Sequence, residues 1–272
     1  MTYRFVDCRF DLLQPGRGEE LSLEGHVPGA AFLDLDRDLS DMSVAPGRGR
    51  HPLPSGERFA RAASRAGIGP GVFVVAYDQG MTGGAARLWW LLRHFGHEDV
   101  AVLDGGIGAW KGPLRSGPEE VEPAVFVSRP RDGDTVEAEE LLERLGEPGL
   151  VLLDARAPER YRGEESDDPI AALDPVAGHI PGARNVYHAE AAEIPPDVLE
   201  APELVVYCGS GVTACVDLLK LAQAGRPDAR LYPGSWSEWS RRGLPVERGD
   251  DRNRGASRPD NRDSAAADFR RR

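Results

Sequence analysis

Short apolar runs, bounded by glycine and proline, alternate along the chain with stretches whose apolar residues recur at helical spacing. In the first half, residues 5–7, 31–35, 72–77 and 100–103 read as strands. A helix is predicted to open at Ser55 as N-cap, with Phe59, Ala62, Ala63 and Ala66 on its apolar side and Gly67 as its stop. Residues 85–95, with Trp89 and Trp90, form a second and more uniformly apolar helix. In the second half the pattern predicts a helix over 138–145 capped by Thr135, and strands at 150–154 and 204–207. Val216, Leu218, Leu219, Leu221 and Ala222 mark a helix that starts at Thr213. Pro195 and Pro196 allow only a short helical turn near 194–201. Runs of β-branched residues without alternation are buried on both faces. The expected architecture is therefore α/β, with mainly parallel sheets covered by helices on both faces.

The pattern repeats. Val6-Asp7-Cys8-Arg9 is echoed by Leu153-Asp154-Ala155-Arg156, and Gly25-His26-Val27-Pro28-Gly29-Ala30 by Gly178-His179-Ile180-Pro181-Gly182-Ala183. The run Val74 to Asp78 is echoed by Leu204 to Cys208, and Gly105 to Trp110 by Gly234 to Trp239. Anchors in the same order imply two tandem domains. The first spans residues 1–112 and the second 134–248, joined by a linker of proline, glycine and charge over 113–133. Residues 249–272 are charged and poor in apolar side chains, and are expected to be a disordered tail.

Charge narrows the partners. The net charge is −12, and the tail, with seven arginines against five aspartates, makes the body more acidic still. An acidic body argues against nucleic acid and anionic membranes. Three cysteines make no disulfide framework and fit a reducing compartment. No apolar run approaches bilayer length, and the chain opens directly on a strand-like segment without a leader, so a cytoplasmic protein is expected.

The candidate chemistry lies at Cys208-Gly209-Ser210-Gly211-Val212-Thr213. Cys208 falls at the carboxyl end of a predicted strand, in a glycine loop feeding a helix. Ligands bind at this edge of open α/β sheets, and the free amides of such a loop favour an anion. A thiolate there is a nucleophile. The repeat supplies an internal control: Asp78 stands at the matching position of the first copy, and an aspartate is a poor nucleophile towards sulfur. A phosphatase would need an arginine closing the loop, and 210–215 contains none. A Cys–His hydrolase would need a histidine base, but His26 and His179 both sit in Gly-His-x-Pro-Gly turns that a repeated turn structure explains. Asp7 and Asp154 recur in both copies and read as loop caps, while Cys8 and Cys215 read as core packing or, less simply, redox partners of Cys208. No metal-ligand cluster is visible, and a thiolate nucleophile needs no metal or organic cofactor.

Cys-Gly-Ser-Gly-Val-Thr-Ala, with the repeat around it, resembles the rhodanese superfamily over residues 3 to about 248, in particular its 3-mercaptopyruvate sulfurtransferases. The resemblance implies two tandem rhodanese-like domains, an inactive first one, and a cleft between them. It also implies a Cys208 persulfide that passes sulfur from a small donor to a thiol, cyanide or thioredoxin-like acceptor. Neutral Gly209 and Ser210 match the mercaptopyruvate pattern better than the thiosulfate one, whose relatives carry basic residues there. Thiosulfate transfer and a non-catalytic persulfide carrier are the alternatives. In the family a serine two after the cysteine joins a histidine and an acid of the first domain. Ser210 fits, His26 fits by its motif, and the acid is one of Asp11, Glu19, Glu20 or Glu24. Arg160 matches a substrate-binding arginine, and Gly209, Gly211, Val212 and Thr213 complete the pocket. A second family arginine falls near 166–169, where this chain has Ser-Asp-Asp-Pro; Arg162 offers a substitute or a surface role. Trp239 has a counterpart in Trp110 and reads as structural, whereas Trp236 has none and is expected to line the cleft.

Overall fold

The computed structural model describes residues 2–190 and 194–250, so most of the tail lies outside the described residues. In chain order the elements are β1 (Thr2–Asp7), α1 (Arg17–Glu24), β2 (Ala31–Phe32), α2 (Gly56–Arg65), β3 (Val72–Tyr77), α3 (Gly84–His94), β4 (Val100–Val102) and α4 (Gly106–Ala109). After the linker come α5 (Ala138–Glu143), β5 (Leu150–Asp154), α6 (Pro158–Arg162), a 3₁₀ turn (Ala171–Leu173), β6 (Arg184–Asn185), α7 (Pro196–Leu199), β7 (Glu203–Tyr207), α8 (Ala214–Gln223), β8 (Arg230–Leu231) and α9 (Ser235–Arg241). Two four-stranded sheets result, ordered β2-β1-β3-β4 and β6-β5-β7-β8, with every strand pair parallel.

The repeat holds at atomic detail. Asp7 and Asp154 each accept from the arginine two residues on, Arg9 and Arg156, whose Nη2 atoms reach the Gly25 and Gly178 carbonyls at 2.6 and 2.7 Å. Tyr77 and Tyr207 Oη accept from the amides of Val27 and Ile180. Each Asp-x-Arg strand end is thereby pinned to its Gly-His turn. His179 belongs to that scaffold, with Nδ1 on the Tyr161 carbonyl at 2.7 Å and its ring stacked on Tyr161.

One local expectation shifts. Ser55 does cap α2, accepting from Arg58 N at 3.2 Å. Thr135 does not cap α5, whose N-cap is Glu137; Thr135 instead pairs with Leu231 at the sheet edge. Between the second Gly-His turn and β7 the described helix is the four-residue α7.

One buried cluster spans both domains. Leu88 and Trp89 of α3 and Val216 and Leu218 of α8 fall in a single buried cluster, so the helices that follow the two equivalent loops pack on each other. Gly83, at φ +107°, lies at this seam, where a Cβ would come within 3.2 Å of Thr213. The two carboxyl-terminal sheet edges are thus brought face to face across a cleft.

Candidate active site

Cys208 follows β7 and is 1% exposed. Its loop splits the backbone by polarity. The amides of Ser210 and Gly211 point at Sγ, at 3.5 and 3.1 Å. The carbonyls of Cys208 and Gly209 point away, accepting from the amides of Trp236 and Ser237 in the first turn of α9. Gly211 adopts φ +76°, and a Cβ there would lie 2.6 Å from the Pro233 carbonyl, so only glycine fits the turn. The result is a sulfur facing amide dipoles, the arrangement by which such loops hold anions.

In the first domain, the equivalent loop holds Asp78. Its carboxylate accepts from the amides of Gly80, Gly83 and Ala85 at 2.8, 3.1 and 3.2 Å. Equivalent loops therefore turn amides onto a fixed carboxylate in one copy and onto sulfur in the other, with the amide two residues on common to both.

A cavity of about 440 Å³ opens over Cys208, lined from the first domain by Phe10, Arg50 and His51 and from the second by Arg160, His188 and Ser210. Ser210 Oγ lies 2.7 Å from His51 Nδ1, and His51 Nε2 lies 3.4 Å from Asp36 Oδ1. Burial lowers the His51 pKa against the pull of Asp36, and the hydrogen bond to His51 lowers that of Asp36. A neutral His51 beside a carboxylate carries its proton on Nε2, leaving Nδ1 to accept from the Ser210 hydroxyl.

This corrects the expectation for His26. It is buried in the first domain, with Nδ1 on the Ser22 carbonyl at 2.8 Å and Nε2 on Glu119 at 3.1 Å. It lines a separate pocket of about 350 Å³ that does not include Cys208. Its Gly-His-x-Pro-Gly turn is the structural partner of the His179 turn, as the repeat already suggested. None of the four candidate acids reaches His51. Asp11 bonds Leu13 N and Gln14, Glu19 faces Arg37, and Glu20 and Glu24 share Arg17. His51 and Asp36 lie in a loop with no counterpart in the repeat, which is why internal comparison did not find them.

Arg160 is where the resemblance placed it, on the cavity wall and bonded to Asp174, with Nε at 3.1 Å. A second guanidinium stands beside it: a Cβ on Gly209 would lie 2.9 Å from Arg50 Nη2 and 3.0 Å from Arg160 Nη2. Gly209 therefore admits both cations to the sulfur's edge of the loop. Arg50 Nη1 reaches the Leu173 carbonyl at 3.2 Å and lies 3.6 Å from Asp174, while its Nε has no partner. Its pKa is lowered, by burial first and also by Arg160. Arg162 is not a substitute; it forks onto Glu164 at 2.7 and 2.9 Å on the surface. Val212 and Thr213 line the cavity floor at the start of α8.

Arg87 of α3 locks the halves together. It is fully buried and donates to the carbonyls of Leu39, His51 and Gly211, at 2.9 Å for Gly211. One side chain thus ties the Cys208 loop to the segment carrying His51. Trp236 does not line the cleft. It is fully buried, donates to the Val176 carbonyl, and lies under the Arg156 guanidinium at 4.7 Å. Trp239 is buried and donates to the Pro245 carbonyl. Cys215 packs inside α8 with Sγ 3.4 Å from the Gly211 carbonyl, and burial pushes its thiol up to about 12. Cys8 is likewise buried and pushed up; all three cysteines are free. No group of potential metal ligands occurs among the described residues.

The rhodanese-like domain model matches residues 2–113 and 137–242. A probable 3-mercaptopyruvate sulfurtransferase of Pseudomonas aeruginosa is 43% identical over 254 residues, covering 86% of this chain and 88% of that protein. A putative thiosulfate sulfurtransferase of Mycobacterium tuberculosis is 40% identical over 256 residues, covering 86% and 87%. The crystal structure of a 3-mercaptopyruvate sulfurtransferase from Escherichia coli superposes with a TM-score of 0.70 at 32% identity, covering 86% of this chain and 92% of that one. The chain belongs to the rhodanese family, as two rhodanese-like domains in tandem.

Proposed function

We propose that the protein is a sulfurtransferase that takes sulfane sulfur from 3-mercaptopyruvate onto Cys208 and passes it to a thiol, cyanide or a thioredoxin-like protein. The observation that carries this reading is the Ser210–His51 hydrogen bond of 2.7 Å beside Cys208, which sets a hydroxyl where a keto oxygen would develop charge. The Cys208 thiolate attacks the donor sulfur, the S–S bond forms and the donor's C–S bond breaks. The electron pair moves onto the keto oxygen as the enolate of pyruvate. The Ser210 hydroxyl turns to donate to that oxygen, and protonation at carbon completes pyruvate. The loop amides at Sγ hold the persulfide anion. Arg50 and Arg160 bind the donor carboxylate as planar forks. In this reading the C-terminal domain supplies the nucleophile and the first domain supplies His51, Asp36 and Arg50. Three free cysteines suit a reducing, cytoplasmic setting.

The same two guanidinium groups also suit a dianion, which favours thiosulfate as the second reading. A persulfide carrier has no use for the Ser210 chain. Steady-state transfer to cyanide from each donor, side by side, separates them. The expected result is a higher kcat/KM with 3-mercaptopyruvate and a mass increase of one sulfur on Cys208 alone. Equal or greater efficiency with thiosulfate removes the donor assignment, and sulfur surviving Cys208→Ser removes the nucleophile.

A further inference from the structure

The second half-reaction needs a base that the Ser210 chain does not offer. Alkyl thiols are protonated at neutral pH, and only the thiolate attacks sulfur. His51 has both ring nitrogens engaged, by Ser210 and Asp36. Among the described residues, one other histidine lines the cavity, His188.

His188 is held in one tautomer. Its segment runs on from β6 along the end of β5, with the amides of Val186 and His188 donating to the carbonyls of Asp154 and Ala155. Its ring Nδ1 lies 2.8 Å from the same Ala155 carbonyl. A carbonyl only accepts, so Nδ1 carries the proton and Nε2 keeps its lone pair. Tyr187 packs edge-on against the ring at 5.0 Å. From α8, Lys220 Nζ anchors the main chain by donating to the carbonyls of His188 and Glu190 at 2.9 Å each. Nε2 is not among the buried unpartnered atoms and no described side chain bonds it, so it is open to solvent on a residue that lines the cavity. Burial lowers the pKa, the positive charges of Lys220 and Arg160 lower it further, and the Ala155 bond opposes them only in part. The ring is therefore neutral, in its basic form, at neutral pH.

We propose that His188 is the general base of the acceptor half-reaction, taking the proton of an incoming neutral thiol through Nε2. This rests on the sulfur-transfer reading above. The acceptor sulfur attacks the outer sulfur of the Cys208 persulfide as its S–H bond gives up the proton to Nε2. A new S–S bond forms on the acceptor. The bond from Cys208 Sγ breaks, its electron pair returns to Cys208 as thiolate, and the imidazolium then releases its proton to solvent. The substrate class implied is small alkyl thiols, which reach the cavity without being ionised first.

The test compares two acceptors at saturating 3-mercaptopyruvate: 2-mercaptoethanol, protonated at neutral pH, and 4-nitrothiophenol, already ionised. In His188→Asn and His188→Ala, transfer to 2-mercaptoethanol is expected to fall by roughly ten- to a hundredfold, while transfer to 4-nitrothiophenol changes by less than about twofold. Imidazole in the buffer should restore part of the loss in His188→Ala. The pyruvate burst that reports persulfide formation should match wild type in both variants. Equal losses with both acceptors, no loss with either, or a slowed burst overturns the assignment. The wild-type protein gives a check that needs no variant. With a resident base, the 2-mercaptoethanol rate stays nearly flat from about pH 8 to about pH 6.5, whereas dependence on free thiolate alone drops it about tenfold per pH unit and overturns the proposal. If the wild-type protein gives no pyruvate burst, the parent reading fails and takes this one with it. A normal burst with unselective loss removes His188 alone.

Discussion

Replacing Asp217 with asparagine is expected to stabilise the protein at pH 8 and to change it little at pH 4. Asp217 sits on α8, fully buried, and neither carboxylate oxygen has a hydrogen-bond partner. Lys220 Nζ stands 3.7 Å away, beyond hydrogen-bond distance, with two of its three donors on the His188 and Glu190 carbonyls. Burial raises the pKa from 3.8 to about 7, against the partial opposition of Lys220. Below pH 3.8 the group is neutral in both folded and unfolded chains and costs nothing electrostatically. As pH rises towards 7, the unfolded chain loses the proton freely while the folded one must keep it or bury a charge, so stability falls; above 7 the loss is complete. At 1.36 kcal/mol per pH unit, the interval gives an upper bound of about 4 kcal/mol. An asparagine amide lacks partners as the protonated carboxyl does, so that cost of about 1–3 kcal/mol cancels between the two proteins and leaves little difference at pH 4. The net expectation is a gain of up to about 4 kcal/mol at pH 8. Urea unfolding of both proteins at pH 4, 6 and 8 measures it. Parallel stability curves, with the same difference at each pH, would refute the reasoning.

The remaining expectations concern the site. His51→Asn should lower kcat with 3-mercaptopyruvate by roughly a hundredfold through loss of the Ser210 chain, whereas His26→Asn should leave kcat within about twofold; steady-state kinetics of the pair distinguishes the two histidines. Arg50→Gln should raise KM for 3-mercaptopyruvate by about tenfold or more with a smaller change in kcat, because it removes a charged fork from the carboxylate while Arg160 remains. Gly211→Ala should abolish transfer without unfolding the domain, since a Cβ at φ +76° meets the Pro233 carbonyl and turns the amide off Cys208 Sγ. Activity together with a thermal midpoint checks it.

Much of the fold was legible because burial forces local patterns. The β-branched runs, the capped helix at Ser55 and the doubled Gly-His turn each answer to a rule that acts within a few residues. The Cys208 loop was legible for the same reason: a strand, two glycines and a helix start are contiguous. His51 and Arg50 were not. They lie in a non-repetitive loop, 159 positions from Ser210 in the case of His51, and reach the cleft only because α3 and α8 pack the domains together. The Gly-His turn drew attention to His26 because repetition is easily seen, yet repetition there marks scaffold. The signal that separates the two histidines is the lack of a partner copy: His26 has one in His179, while Arg50-His51 has none. Thr135 misled for a simpler reason. A polar residue before an apolar helix looks like a cap, but its backbone was needed to extend the sheet at Leu231.

Arg87 gives the site a property that belongs to neither half. Its guanidinium spans from the carbonyl of Gly211 to that of His51, so the spacing between nucleophile and helper is held by a single rigid plane. Small rotations between the halves are converted into breakage of charged hydrogen bonds, a steep rather than gradual penalty. A loss of register between the halves is therefore expected to cost the site these bonds together. Either the halves are in register and the donor reaction runs, or they are out of register and Cys208 keeps its own amide cradle while losing its helpers. Partial activity under mild denaturant or force should then reflect a mixture of fully competent and donor-blind molecules, never a uniformly slowed population.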